Sequence, residues 1–313
     1  MTPVLFDNSS GGSGGTRTLK GISPHRFSRP APYQLGYASN EDNYILLYWN
    51  NQVVFMKDIQ SENDLRKISL DKVGIKGIRY PIIVKDKENK FQNTTGVFSI
   101  YVFLPHNFRG THMSRFVEVL NRHSNNLSQK NLNNILDDVK GTLNSKEAHL
   151  QVDFPYFLSK NAPVSKIESI SSYDCSFIAN KNDKMDFTLN VQVPVTTLCP
   201  CSKEISKYGA HNQRALVSVF LHMNKMVWIE DIINYVEKSG SAPIYSLLKR
   251  SDEKYITELA YDNPKFVEDV TRDVAILLND DSRISWYKIE VESYESIHNH
   301  SAFSSLEVKK GDR

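Results

Sequence analysis

The sequence predicts an α+β protein in which an antiparallel sheet carries helices on one face and is built from two similar halves. Runs rich in β-branched and aromatic residues predict the strands, and apolar residues at helical spacing predict the helices between them. The order strand, strand, helix, helix, strand, strand is then followed by much the same order again, with a repeat of about 110 to 120 residues. Together these observations predict two related modules in one chain.

The first half opens with a predicted hairpin, whose strands at 78–84 and 95–104 flank a polar turn. Apolar residues at helical spacing predict helices over 113–121 and 129–143, and Ser128 is a candidate N-cap for the second helix. Two more strand patterns complete this half, at 149–154 and 166–178.

The second half repeats this order of elements. Its predicted elements are strands at 184–195 and 214–223, helices at 228–236, 244–248 and 264–278, and a closing strand at 284–291. The run 249–254 is so highly charged that its composition favours a solvated loop.

Three segments follow from these patterns: an N-terminal extension over 1–60, a first module over 61–190, and a second module over 191–313 that contains the reactive residues. The extension has a Gly/Ser tract at 9–15 and several prolines, a composition typical of disorder. It is an artificial linker, a transit peptide, or upstream sequence outside the native protein.

Composition excludes several classes of function. With 38 Lys+Arg against 36 Asp+Glu, the net charge of +2 does not predict a nucleic-acid-binding protein. The longest apolar runs, such as Tyr44–Trp49, are too short to span a membrane. Three cysteines, two of them separated only by Pro200, do not form a disulfide framework. The sequence therefore predicts a cytoplasmic protein, or an organellar one if 1–55 is a transit peptide.

Reactive side chains are densest around Cys199 and Cys201. A strand is predicted to end near residue 195, and Ser202 is a candidate N-cap for a short helix over 203–207, so both thiols lie at a strand-to-helix junction. Thiols near helix N-terminal N–H groups are favoured as thiolates, and His211 follows where the chain can fold back. A thiolate and an imidazole suit a borderline-soft ion such as Zn²⁺.

The cluster favours an open catalytic metal site with three protein ligands, because a structural zinc site needs four. The third ligand has to come from elsewhere in the chain. The alternative is that the cysteines are small buried apolar residues, although their neighbours are polar.

Later segments contain further polar candidates. Glu268, in the first turn of a predicted helix, is explained by helix N-terminal chemistry alone. His298 and His300 follow the closing strand, where a role in proton transfer or metal binding competes with simple surface polarity. Arg115 opens a helix near the first hairpin and could meet a phosphate.

The cluster over 197–214 resembles the signature of the type IB GTP cyclohydrolases. Four other segments match the family in the same order, so the resemblance covers about residues 61–305. They are 73–77 with 80–81, 110–115, 261–264 with 266–269, and 295–298. Met56 lies just upstream of this region, which favours native translation starting near it.

The resemblance implies a tunnelling fold of two tandem modules, assembled into an oligomeric barrel, with active sites at the subunit interfaces of a homotetramer. It also implies the roles of individual residues. Cys199, His211 and Glu253 would hold a catalytic Zn²⁺, or Mn²⁺ or Fe²⁺, with Cys201 beside them; Glu268 would bind the guanine edge, and His298, assisted by His300, would transfer protons. The several negative charges of the triphosphate need cations, and the positions of Lys203, Arg115 and Arg214 in these motifs make each of them a candidate.

The implied reaction is metal-dependent hydrolysis of GTP at guanine C8, with release of formate and formation of 7,8-dihydroneopterin triphosphate. This product would feed the synthesis of tetrahydrofolate or of a modified nucleoside, queuosine. Two alternatives remain open: another tunnelling-fold enzyme on a purine or pterin that uses a nucleophilic cysteine, and a non-enzymatic binding module in which a metal braces a loop.

Overall fold

The computed structural model describes residues 34–35, 44–49, 52–123, 128 and 131–311, and it divides the chain into two units, Met1–Asp58 and Ile59–Arg313. In the first unit, three short strands pair antiparallel: β1 (Gln34–Leu35), β2 (Tyr44–Trp49) and β3 (Gln52–Lys57). These strands lie in the segment 1–60, for which we predict disorder or a non-native extension. Most of that segment lies outside the described residues, so its disorder or non-native origin stays a prediction.

The second unit contains the elements β4 (Leu70–Asp86), β5 (Lys90–Leu104), α1 (Met113–His123), α2 (Leu132–Leu143), β6 (Ala148–Asn161), β7 (Glu168–Lys181), β8 (Met185–Leu198), α3 (Pro200–Ile205), β9 (Asn212–Met223), α4 (Ile229–Ser239), β10 (Ala242–Pro243), α5 (Arg250–Asp262), α6 (Val267–Asp280), β11 (Ile284–Ser293) and β12 (Ala302–Lys309). Within the described ranges its strands form one nine-stranded antiparallel sheet. The order is β12-β11-β9-β8-β7-β6-β5-β4, and β10 pairs with β8. The predicted α+β class is confirmed.

The two halves of this sheet share a general order of two strands, then helices, then two strands, and the second half adds α3, β10 and a third large helix. Strands β4 to β7 enclose α1 and α2, and strands β8, β9, β11 and β12 enclose α4, α5 and α6. The border that we predict between residues 190 and 191 falls inside β8. Ile59–Arg313 form a single unit, so the division into two modules stays a prediction about the repeat in the chain.

The core lies between the helices and one face of the sheet. One row of buried side chains crosses six neighbouring strands in register: Phe98, Val152, Phe177, Leu189, Leu221 and Tyr287. Helices α1, α2, α4 and α6 cover this face with their own buried apolar residues. Full burial of such a side chain contributes about 1.5–3 kcal/mol, which fixes the register and the helix-bearing face.

Several local predictions are wrong. The segment 244–248 is not helical, whereas the charged run 249–254 begins helix α5. This helix buries only Asp252 and Ala260, so it has no apolar periodicity to reveal it. The N-cap of α2 is Asn131 rather than Ser128. Strand β12 is absent from our prediction because it is an edge strand with mostly exposed side chains.

We predict that β4 and β5 tolerate no side chain at Gly74. A Cβ there would lie 2.0 Å from the carbonyl oxygen of Ile100, on the paired strand. Gly74→Ala should therefore lower the free energy of unfolding by more than about 2 kcal/mol, because the backbone has to shift. Chemical denaturation measures the loss.

Gly141→Ala is the matched control, since a Cβ at Gly141 in helix α2 meets nothing within 4 Å. It should raise stability by about 0.5–1 kcal/mol, because alanine is the better helix former. A Gly74→Ala protein as stable as its parent would contradict the close pairing of β4 with β5.

A second prediction concerns the ion pair between α1 and α2. Arg122 donates two hydrogen bonds to Asp138, at 2.9 and 3.0 Å, and these hold the pKa of Asp138 below its usual value although partial burial acts to raise it. A carboxyl whose pKa is lower in the folded state stabilises the protein above about pH 4, and this contribution is lost as the pH falls.

Asp138→Asn should therefore lower the melting temperature by about 2 °C at pH 7, with the difference shrinking as the pH falls below about 4. The more exposed neighbour Asp137, which pairs with Lys181, is the control, and Asp137→Asn should change the melting temperature less. Thermal melts across this pH range test both variants. A difference for Asp138→Asn that stays constant with pH would contradict the assignment.

Candidate active site

Cys199 lies at the junction between β8 and α3. Its backbone is extended, with φ −67° and ψ 117°, and its Sγ accepts the N–H of Ser202 at 3.4 Å. Cys199, rather than Ser202 as predicted, is therefore the N-cap, and the helix begins at Pro200 instead of residue 203. The sulfur lies where a helix presents its unpaired N–H groups, which attract negative charge.

His211 lies beside Cys199 because β8 and β9 pair antiparallel. Leu198 pairs with Asn212, and the next pair in this register is Cys199 with His211, whose carbonyl accepts the N–H of Cys199 at 3.1 Å. The hydroxyl of Ser202 donates to the carbonyl of Cys199 and accepts the N–H of His211, each at 3.2 Å. The structure thus pairs the backbones of two of the predicted metal ligands at one end of the sheet.

Gln213 and Glu295 lie on one side of the His211 ring. The Nδ1 atom of His211 is 2.9 Å from Oε1 of Gln213 and 3.9 Å from Oε2 of Glu295, and Nε2 of Gln213 is 3.4 Å from the other oxygen of Glu295. The sequence predicts no role for either residue, although Glu295 opens the matching segment 295–298. The signal for Gln213 is its position two residues after His211, on the same face of the strand.

Glu253 lies in the first turn of α5, where it is exposed. Its neighbour Asp252 is fully buried and accepts hydrogen bonds from the hydroxyl and N–H of Ser165 and from the N–H groups of Val164 and Lys249, at 2.6–2.9 Å. Burial by itself would raise the pKa of Asp252, but these hydrogen bonds outweigh it and hold the pKa below its usual range. They anchor the start of α5 to the turn between β6 and β7.

Glu268 is exposed in the first turn of α6. The segment before it is joined to the end of β8, because the N–H of Lys265 donates to the carbonyl of Leu198 at 3.0 Å. The side-chain amide of Asn263 also donates to the carbonyl of Gly240 at 3.0 Å. Helix α6 therefore begins beside the strand end that leads into Cys199.

The other predicted residues are exposed or lie on helices. His298 and His300 follow β11, are exposed, and stack their rings at 5.0 Å, while Cys201 is exposed on α3. The Nζ of Lys203 donates to the carbonyl of Tyr261 at 2.5 Å and lies over its ring. Arg115, on α1 in the first half of the sheet, donates to the carbonyl of Thr142 at 3.4 Å, and Arg214 is exposed on β9.

A thiol and an imidazole are chemically suited to a borderline-soft divalent ion, so Cys199 and His211 fit the predicted metal. Within the part of the chain that the structure describes, no three His, Cys, Asp or Glu side chains come close enough together to hold an ion. The structure therefore pairs the first two predicted ligands through their backbones. Glu253 lies apart from them, in the first turn of α5.

The fold and the site define the class of protein: an α+β protein built on one antiparallel sheet, with a thiol and an imidazole at the end of its central strands. A sequence model of the family described as type I GTP cyclohydrolase folE2 matches residues 56–304. The chain belongs to this family, and the resemblance of the 197–214 cluster is confirmed.

Named relatives support the same assignment. GTP cyclohydrolase FolE2 of Kosmotoga olearia is 59% identical over 255 residues, which cover 82% of this chain and 99% of the relative. The proteins of the same name from Thermosipho africanus and Pseudothermotoga lettingae are 54% and 51% identical, and the matches cover 80% and 82% of this chain and 97% and 100% of theirs. These relatives identify an enzyme and do not favour a binding module.

A solved structure, the uricase from Arthrobacter globiformis, matches 78% of this chain and 94% of its own, with 7% identity and a TM-score of 0.47. Among the helices of the described residues, none is both long and apolar enough to cross a membrane.

Proposed function

We propose that the chain hydrolyses GTP at guanine C8, releases formate and forms 7,8-dihydroneopterin triphosphate. The observation that carries this proposal is the pairing of Cys199 with His211 at the end of β8, in a chain that belongs to the type I GTP cyclohydrolases. We further propose that the product enters tetrahydrofolate synthesis, or the synthesis of queuosine, and that the enzyme works in the cytoplasm.

Cys199, His211 and Glu253 are the ligands of the proposed catalytic metal, Zn²⁺ or alternatively Mn²⁺ or Fe²⁺. The family is metal-dependent in general, and the thiol and imidazole supply the donor types that such ions prefer. When bound, the ion supplies a water nucleophile at neutral pH by lowering the pKa of that water. Cys201 lies one residue beyond Pro200 and is exposed, which leaves its thiol accessible from solvent.

Glu268 and His298 are exposed, as groups that contact a substrate have to be before it binds. The carboxylate of Glu268 accepts two parallel N–H bonds from the guanine edge. The imidazole of His298 donates a proton to a ring nitrogen as C8 is attacked, and His300, stacked on it, holds the ring in place. Lys203 still has two N–H donors beyond its bond to Tyr261 for the triphosphate, and Arg115 is the second candidate cation.

The proposed assembly is a homotetramer whose active sites lie between subunits. Three large apolar side chains near the site are exposed in the single chain: Ile205 at 83%, Tyr208 at 99% and Ile297 at 62%. Apolar residues this exposed on both sides of a polar site favour coverage by another copy of the chain.

The first test of this proposal is Cys199→Ala. The variant should release no detectable formate from GTP and bind Zn²⁺ more weakly, while remaining a folded oligomer, because Cys199 is half-buried and outside the apolar core. Formate release, pterin fluorescence and size-exclusion chromatography measure the outcome.

Cys175 supplies the matched control, because it is a buried residue of β7. Cys175→Ala should lower stability by about 1 kcal/mol and retain formate release per folded molecule. A Cys199→Ala protein that unfolds would support the binding-module alternative, and one that keeps parental activity would contradict the metal-dependent mechanism.

The second test separates the two glutamates. Glu268→Gln should raise the KM for GTP at least tenfold and leave the Zn²⁺ content unchanged, because it removes one acceptor for the guanine edge. Glu253→Gln, a matched change one helix away, should lower the Zn²⁺ content. Metal analysis after dialysis, together with steady-state kinetics, measures both. Metal loss in Glu268→Gln alone would mean that the two roles are exchanged.

A further inference from the structure

Gln213 is the centre of a hydrogen-bonded group at the end of the sheet. Its Oε1 lies 2.9 Å from Nδ1 of His211 and accepts the hydroxyl of Ser296 at 3.4 Å. Its Nε2 donates to Glu295 at 3.4 Å and to the hydroxyl of Thr197 at 3.3 Å. These four partners come from the end of β8, the residue before β9 and the segment after β11.

The register of the sheet places these residues together. Thr197 pairs directly with Gln213 on the neighbouring strand, and Ser293 pairs with Ala215 on the other side. Glu295 lies two residues beyond Ser293, and the N–H of Tyr294 continues the pairing by donating to the carbonyl of Arg214 at 3.0 Å. Along these strands the core face ends in buried Val195 and Ala215, and polar side chains continue it.

The amide of Gln213 has only one orientation that satisfies its partners. A carboxylate is an acceptor only, so the amide group that faces Glu295 has to be the NH₂ group. The carbonyl Oε1 then faces His211 and Ser296, and both of those groups must donate to it. Glu295 thus decides which end of the glutamine faces the histidine.

This orientation determines which nitrogen of the neutral His211 ring carries the hydrogen. Because Oε1 of Gln213 accepts, Nδ1 of His211 must carry the hydrogen, and Nε2 keeps its lone pair. A neutral imidazole binds a metal through the nitrogen that carries no hydrogen, and a partner on the other nitrogen commonly fixes the ring. The hydroxyl of Ser202 fixes the backbone of the same residue by accepting its N–H at 3.2 Å.

We propose that Gln213 is a positioning residue that holds His211 with Nε2 presented as the metal ligand. Glu295 and Thr197 orient the amide of Gln213, and the amide in turn orients the ring. This inference rests on the role proposed above for His211 and names a residue that acts through it. In this proposal Gln213 acts only through the His211 ring.

The test replaces Gln213 by methionine, which has a similar length and no hydrogen-bonding amide. In Gln213→Met the affinity for Zn²⁺ should fall about tenfold or more, because the ring is no longer held with its lone pair toward the ion. Competition with a chromophoric chelator on the full chain measures this affinity. The melting temperature of the metal-free protein, measured in parallel, should change little.

Gln192→Met is the matched control, since Gln192 is a half-buried glutamine of β8 in the same sheet. Its affinity for Zn²⁺ should stay within about twofold of the parent, as expected for a surface substitution outside the site. Gln213→Leu is measured beside Gln213→Met, so that one poorly tolerated side chain does not decide the result.

His211→Ala distinguishes failure of this inference from failure of the proposed function. If His211→Ala keeps parental Zn²⁺ affinity, the ligand set itself is wrong. If His211→Ala loses affinity and both Gln213 variants keep it, the positioning role is overturned and the ligand set stands. Gln213 variants that do not fold without metal also overturn it, because the amide would then hold the sheet end rather than the ring.

Discussion

The antiparallel register of β8 and β9 is the constraint on which the site depends. Extended by one pair beyond the strands, it sets Cys199 opposite His211 and joins them through a backbone hydrogen bond of 3.1 Å. The same register sets the apolar row from Phe98 to Tyr287 under the helices. A slip of one residue would turn that row toward the opposite face, so burial in the core also holds the reactive pair in place.

The helices that carry Glu268 and Glu253 are held at their starts by contacts to two different parts of the sheet. At the start of α6, Lys265 bonds to Leu198, and at the start of α5, buried Asp252 collects four hydrogen bonds from the turn between β6 and β7 and from Lys249. The end of β6 that leads into this turn is itself attached to α4, because Lys160 forms an ion pair with Glu237 at 2.6 Å. The first half of the sheet thereby contributes to the position of Glu253, although the reactive thiol lies in the second half.

Several parts of the fold could be predicted because their signal is local. Alternating apolar residues in β8 and helical spacing in α4 follow directly from burial on one face. Helix α5 could not be predicted in this way, because it is held by a buried carboxylate rather than by an apolar stripe. The sequence favours Ser202 as the cap of α3 because serine is a usual N-cap. In the structure the Ser202 hydroxyl instead bonds to the carbonyl of Cys199 and the N–H of His211, and Cys199 is the cap.

The sequence by itself determined the α+β class, the order of most elements and the family, because apolar periodicity and the cluster over 197–214 are properties of neighbouring residues. It also singled out Cys199 and His211 as a pair. Only the tertiary structure decided that Gln213 and Glu295 surround His211, and that Lys203 is joined to Tyr261. Those contacts link residues up to 84 positions apart through strand register and helix packing, which no local pattern records.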